Sequence, residues 1–119
     1  MQLIAVTATV LVAFLHFYIM YLEMFLWEKP KGLKTFGLQP DFAKQTKVLA
    51  ANQGLYNGFL AAGLLWSVWL GSQGTQVALF FLLCVIVAGI YGAMTANKKI
   101  LFVQGIPGFI AFLAVLLAS

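Results

Sequence analysis

The sequence predicts an all-α protein, a four-helix transmembrane bundle with both termini on the non-cytoplasmic side (N-out/C-out). Three observations carry this expectation. Of 119 residues, 63% are hydrophobic and 8% charged, a balance that no soluble core of this size could bury. The apolar residues fall into four long runs, each near the roughly 20 residues that a hydrocarbon layer of about 30 Å requires. All seven basic residues are lysines confined to two of the connecting segments.

The first span is read as residues 3–27. It ends at Glu28, Lys29 and Pro30, where charge and a helix breaker coincide. Its apolar run is too long for a signal-peptide core, so it is expected to remain in the membrane. The second span is read as residues 48–70. Its helix is expected to begin earlier, because Pro40 and Asp41 offer a start and residues 42–47 can form about two turns at headgroup level. A short turn over residues 71–76 leads to the third span, residues 77–96. Asn97, Lys98 and Lys99 then make a minimal connection to the fourth, residues 100–118. Short connections imply antiparallel neighbours in a single four-helix domain over residues 1–119.

Lys29, Lys31, Lys34, Lys44 and Lys47 occupy the first connection, and Lys98 and Lys99 the third. The bias of lysine toward cytoplasmic loops puts both on the cytoplasmic side. Trp27 marks that edge, and Trp66 and Trp69 mark the other. The formal charge of +4 therefore reflects topology and contact with anionic membrane lipids. No nucleic-acid partner is expected, since no stacking platform accompanies the lysines.

Polar residues inside the spans are the candidates for function, because each one needs a partner or a wet cavity. His16 and Glu23 lie seven residues apart, about 20° around a helix. They share a stripe with Thr9, Met20 and Trp27. In the second span Asn52, Gln53, Tyr56 and Asn57 introduce hydrogen-bonding groups. Gly54, Gly58 and Ala62 form a small-residue stripe on roughly the opposite side from Asn52 and Tyr56, available for a subunit contact in a homo-oligomer. Tyr91 and Thr95 close the third span. Gln104 precedes Pro107, whose missing N–H deprives the Val103 carbonyl of its helical partner and predicts a kink. At ~1.5 Å per residue from the nearest lysine, Glu23, Asn52, Tyr56, Tyr91, Thr95 and Gln104 lie roughly 5–14 Å inside the cytoplasmic edge, and His16 roughly 20 Å. This shared depth predicts a polar cavity near the cytoplasm, lined by Glu23, His16, Asn52, Gln53, Tyr56, Asn57, Tyr91 and Gln104.

The segment from His16 to Trp27, the segment from Lys47 to Ala62, Ala88 to Met94 with its Gly-Ile-Tyr-Gly core, and Val103 to Gly108 together resemble the small bacterial membrane proteins catalogued as domain of unknown function 1304. The resemblance covers nearly the whole chain. It implies a multi-pass protein of a bacterial plasma membrane and brings no activity with it. A topological likeness to the membrane-associated eicosanoid and glutathione enzymes is weaker. Those enzymes hold glutathione carboxylates with arginine, and this chain contains none.

Three functions compete on these residues. The first is binding of a small amphipathic or lipid-like molecule between the helices, with its polar end near Glu23, Asn52, Tyr56 and Gln104. The second is proton-coupled export using Glu23. The third is an enzyme acting on a lipophilic substrate, with Glu23 and His16 about 10 Å apart along one helix. No nucleophile, phosphate-loop or metal-ligand pattern accompanies them, and neither a metal nor a cofactor is expected. The single cysteine, Cys84, reads as packing.

Overall fold

The computed structural model describes residues 2–119 and is all-helical, with no strand among them. Helix α1 spans Leu3–Phe25, α2 Pro30–Phe36, α3 Pro40–Trp69, α4 Thr75–Thr95 and α5 Ile106–Ala118. A 3₁₀ turn, Gly71–Gly74, precedes α4, and a π turn, Leu101–Gly105, leads into α5.

Three segments are long and apolar enough to cross a membrane: Leu3–Phe25, Gly71–Thr95 and Leu101–Ala118. Helix α3 is longer than any of them at 30 residues but is not among them. Asn52, Gln53 and Asn57 dilute its apolar character in its middle third. As the sequence suggested, α3 starts at Pro40, well ahead of its apolar stretch.

Helix α2 is absent from the sequence reading, although both of its ends are encoded locally. Pro30 sits in the first turn, where its missing N–H is not required. Gly37 closes the helix at φ 64°, a left-handed conformation that favours glycine.

By internal contacts the chain divides into two compact units. The first combines the chain up to Phe14 with Leu60–Ser119. Here α4 buries Ala78, Leu82, Val85 and Gly89, and α5 buries Gly108, Ala111 and Val115. The helices meet backbone to backbone: a Cβ on Gly89 would lie 2.6 Å from Cα of Gly105. Small residues at such crossings allow the close packing that drives helix association where lipid removes the hydrophobic incentive. At Pro107 the chain accommodates the missing N–H by widening into the π turn, with the Ile106 N–H bonding to the Leu101 carbonyl. Pro107 then falls in the first turn of α5. In the same unit Thr9 is fully buried, and its Oγ1 has no hydrogen-bond partner among the described residues.

The second unit is Leu15–Phe59. It contains the later part of α1, all of α2 and the first two-thirds of α3. Gly54 and Gly58 of α3 abut α1. A Cβ on Gly54 would lie 2.7 Å from Met24 Cγ and 3.0 Å from Glu23 Cβ, and one on Gly58 would lie 2.6 Å from Met20 Sδ. These two positions of the small-residue stripe are therefore taken up within the chain, whereas Ala62 remains exposed. The indole N–H of Trp27 donates to Thr46 Oγ1 at 3.1 Å, and its ring packs on Phe36 with centroids 4.9 Å apart. Thr46 in turn donates to the Phe42 carbonyl. This chain of contacts ties the end of α1 to α2 and to the start of α3.

Candidate functional site

The polar core of the second unit is built around Glu23. This residue is only 2% exposed, and both of its carboxylate oxygens are held. Gln53 Nε2 donates to Oε2 at 2.7 Å, and Asn57 Nδ2 donates to Oε1 at 2.6 Å. Gln53 and Asn57 are four residues apart, one helical turn, so one face of α3 presents two amides to one carboxylate. A buried carboxylate needs such donors, because removing its water shell costs several kcal/mol, on the order of a full hydrogen bond or more for each lost contact. Glu23 does not reach toward Lys29 or Lys31. The nearby ion pair is instead Glu28 with Lys47, at 3.5 Å.

Of the residues expected to share one cavity, the structure brings Glu23, Gln53 and Asn57 together. His16 lies on the same helix, fully enclosed and partnered. Thr9, His16 and Glu23 recur every seven residues as buried polar positions of α1. Asn52 turns away and donates to its own helix at the Val48 carbonyl, 2.9 Å. Tyr56 is exposed against Phe59. The polar face of α3 is thus divided. Gln53 and Asn57 lie on the side that carries Gly54 and Gly58 against α1, and Asn52 and Tyr56 lie outside it.

Tyr91 and Gln104 belong to the other unit. Tyr91 is exposed and lines an open apolar groove on α4 with Phe80, Leu83, Cys84, Val87 and Ala88, about 450 Å³ in volume. Gln104 sits in the π turn, half-buried and partnered. Thr95 donates to the Tyr91 carbonyl.

Next to Glu23, a groove of about 290 Å³ is lined by Met24, Phe25, Trp27, Glu28, Lys29 and Lys47. It combines an apolar wall, an indole fixed by Thr46 and two lysines. The sequence reading assigned these lysines to orientation and to general contact with anionic lipids, and to no groove. Lys29 and Lys47 are 18 positions apart, and only the antiparallel return of α3 along α1 brings them to one groove. A local signal marks only the α1 side of the groove: an aromatic and apolar run, Met24 to Trp27, that ends directly in Glu28 and Lys29. Among the described residues, no group of three His, Cys, Asp or Glu side chains is placed to hold a metal. The chemistry available is therefore that of a buried, amide-held carboxylate beside an amphipathic, net-positive groove.

Comparison with known proteins agrees with the resemblance read from the sequence. The family described as "Protein of unknown function (DUF1304)" matches residues 10–116. A relative from Lactococcus lactis subsp. lactis (strain IL1403), described as "Uncharacterized protein YpaA", is 33% identical over 107 residues, covering 88% of this chain and 90% of the relative. No solved structure matches the chain significantly.

Proposed function

The chain belongs to the DUF1304 family, and we propose that it is a four-span protein of a bacterial plasma membrane that binds a small amphipathic molecule at its cytoplasmic end. One observation carries the binding reading: the groove of Met24, Phe25, Trp27, Glu28, Lys29 and Lys47 joins apolar wall to charged rim at the border of the buried Glu23 cluster. An amphiphile needs both surfaces within one molecular length. The Glu23, Gln53 and Asn57 bonds hold α1 against α3 and so fix the wall of the groove. In this role Glu23 positions the site and does not itself meet the ligand.

Two arguments support α3 as the fourth span. Its 30 residues extend about 45 Å, more than the hydrocarbon thickness. The amides of its middle third are hydrogen-bonded within the protein, Gln53 and Asn57 to Glu23 and Asn52 to the Val48 carbonyl, which lowers the cost of placing them in lipid. The lysine distribution supports the N-out/C-out orientation. Self-association belongs to the same proposal, through faces other than Gly54 and Gly58, and the mass of the detergent-purified particle tests it.

Native mass spectrometry of the protein released from mild, uncharged detergent tests the binding reading. A retained small amphiphile that is lost on Trp27→Ala is the expected result. A bare polypeptide under all release conditions, with the fold intact by circular dichroism, contradicts it.

A second reading, proton-coupled export, draws on a different observation: the partners of Glu23 are neutral amides, which leaves its charge open to compensation by a proton or a cationic substrate. Transport in proteoliposomes that is abolished by Glu23→Gln supports this reading. Equal transport by Glu23→Gln removes it.

A further inference from the structure

Resting on the amphiphile-binding reading, we infer that the groove at the end of α1 selects amphiphiles with an anionic, phosphate-bearing headgroup, held between Lys29 and Lys47, with Glu28 as the internal competitor for Lys47. The charge balance of the lining sets the sign. Lys29 and Lys47 contribute two positive charges and Glu28 one negative charge, and the remaining lining residues, Met24, Phe25 and Trp27, are uncharged. Lys47 is paired with Glu28 at a long 3.5 Å, with side chains 67% and 38% exposed. Such a contact is weak in solvent and easily exchanged for a phosphate that accepts charge-assisted hydrogen bonds from both lysines. Lys29 has no ion pair among the described residues.

The geometry also favours a lipid over a free anion. The lysines stand at the rim of a wall made by Met24 and Phe25, and Phe25 is exposed. The Trp27 indole, held by Thr46 and Phe36, lines the same groove as the two lysines and Phe25. A tryptophan at this level is amphipathic and suits the boundary between headgroup and hydrocarbon. A cationic headgroup would face two lysines, and a zwitterionic phospholipid offers them the same phosphate together with a cation that they repel. The other lysines of the first connection, Lys31, Lys34 and Lys44, are exposed and lie outside the lining, so they contribute background attraction to an anionic surface without selecting a headgroup.

The test uses the full chain in dodecyl maltoside, with binding read by native mass spectrometry and by thermal shift. The probes are short-chain phosphatidylglycerol, phosphatidylcholine of the same chains, an alkyltrimethylammonium and inorganic phosphate alone. The expected result is phosphatidylglycerol binding at least about tenfold tighter than phosphatidylcholine, with negligible binding of the cation and of inorganic phosphate. Each of Lys29→Gln and Lys47→Gln should weaken phosphatidylglycerol about fivefold. Glu28→Gln should tighten it. Lys31→Gln/Lys34→Gln removes the same charge as Lys29→Gln/Lys47→Gln but outside the groove, and should leave the affinity within about twofold. Equal binding of the two phospholipids, or equal loss in the two lysine pairs, overturns the headgroup assignment while leaving amphiphile binding in place. Inorganic phosphate binding as tightly as the lipid overturns the lipid source. Retention of no probe overturns the binding reading itself.

Discussion

Replacing Asn57 should cost far more stability than replacing Gln53, although each makes one bond to the same carboxylate. Asn57 is 9% exposed and donates at 2.6 Å to an oxygen of Glu23, so in Asn57→Leu no other described residue donates to Oε1. A hydrogen bond to a charged group contributes about 1.5–3 kcal/mol. Interhelical hydrogen bonds in membranes average about 0.6 kcal/mol, because the unfolded chain in lipid finds other partners. A buried, charge-assisted bond belongs at the upper end, and Asn57→Leu should lose about 1.5–3 kcal/mol. Gln53 is exposed, so water or a headgroup can replace its amide, and Gln53→Leu should lose less than about 1 kcal/mol. Glu23→Gln removes the charge assistance, and in that background Asn57→Leu should cost under about 1 kcal/mol. Equilibrium unfolding in mixed dodecyl maltoside and dodecyl sulfate micelles, followed by tryptophan fluorescence, gives the full double-mutant cycle. Equal costs for Asn57→Leu and Gln53→Leu, or a cost of Asn57→Leu that ignores Glu23→Gln, would refute the amide-held carboxylate as the element joining α1 to α3.

Three further outcomes follow from the packing and the charge pattern. Gly89→Val places a side chain where Gly105 backbone stands 2.6 Å from the new Cβ, and backbone cannot yield as a flexible side chain does; a loss of about 1–3 kcal/mol is expected in the same unfolding assay. Thr9→Val replaces a buried hydroxyl that has no partner among the described residues with a methyl of similar shape, and should be neutral or stabilising by up to about 1 kcal/mol. In a Cys84→Ala background, an impermeant maleimide should label Ser72→Cys in intact cells and Lys31→Cys only after lysis; labelling of both from the same side would exclude α3 as a span and with it the N-out/C-out orientation.

Much of the helical framework is legible in the sequence because it follows from local signals. Apolar runs, the Pro40 start, the Gly37 end of α2 and the charged stop at Glu28 and Lys29 each act within a few residues. The accommodation of Pro107 was legible as a disturbance; its form, a π turn from Leu101 to Gly105, depends on how closely Gly105 packs against Gly89. The candidate site was legible only in its centre. Glu23 stands out because an ionisable group in an apolar run demands partners. Which of four neighbouring polar residues would supply them depends on the rotation of α3, set by Gly54 and Gly58 against Met20 and Met24. That rotation turns Gln53 and Asn57 inward and Asn52 and Tyr56 outward. The groove was hidden for a similar reason, since Lys29 and Lys47 meet only through the return of α3.

Photo-crosslinking with a diazirine-bearing amphiphile, followed by peptide mapping, tests binding at the C-terminal end of α1 most directly. Specific binding predicts saturable labelling concentrated on Met24, Phe25 and Trp27, displaced by unlabelled amphiphile and reduced by Lys29→Gln/Lys47→Gln. Non-saturable labelling spread over exposed apolar residues such as Phe80, Leu83 and Val87, indifferent to competitor and to the lysines, would contradict it.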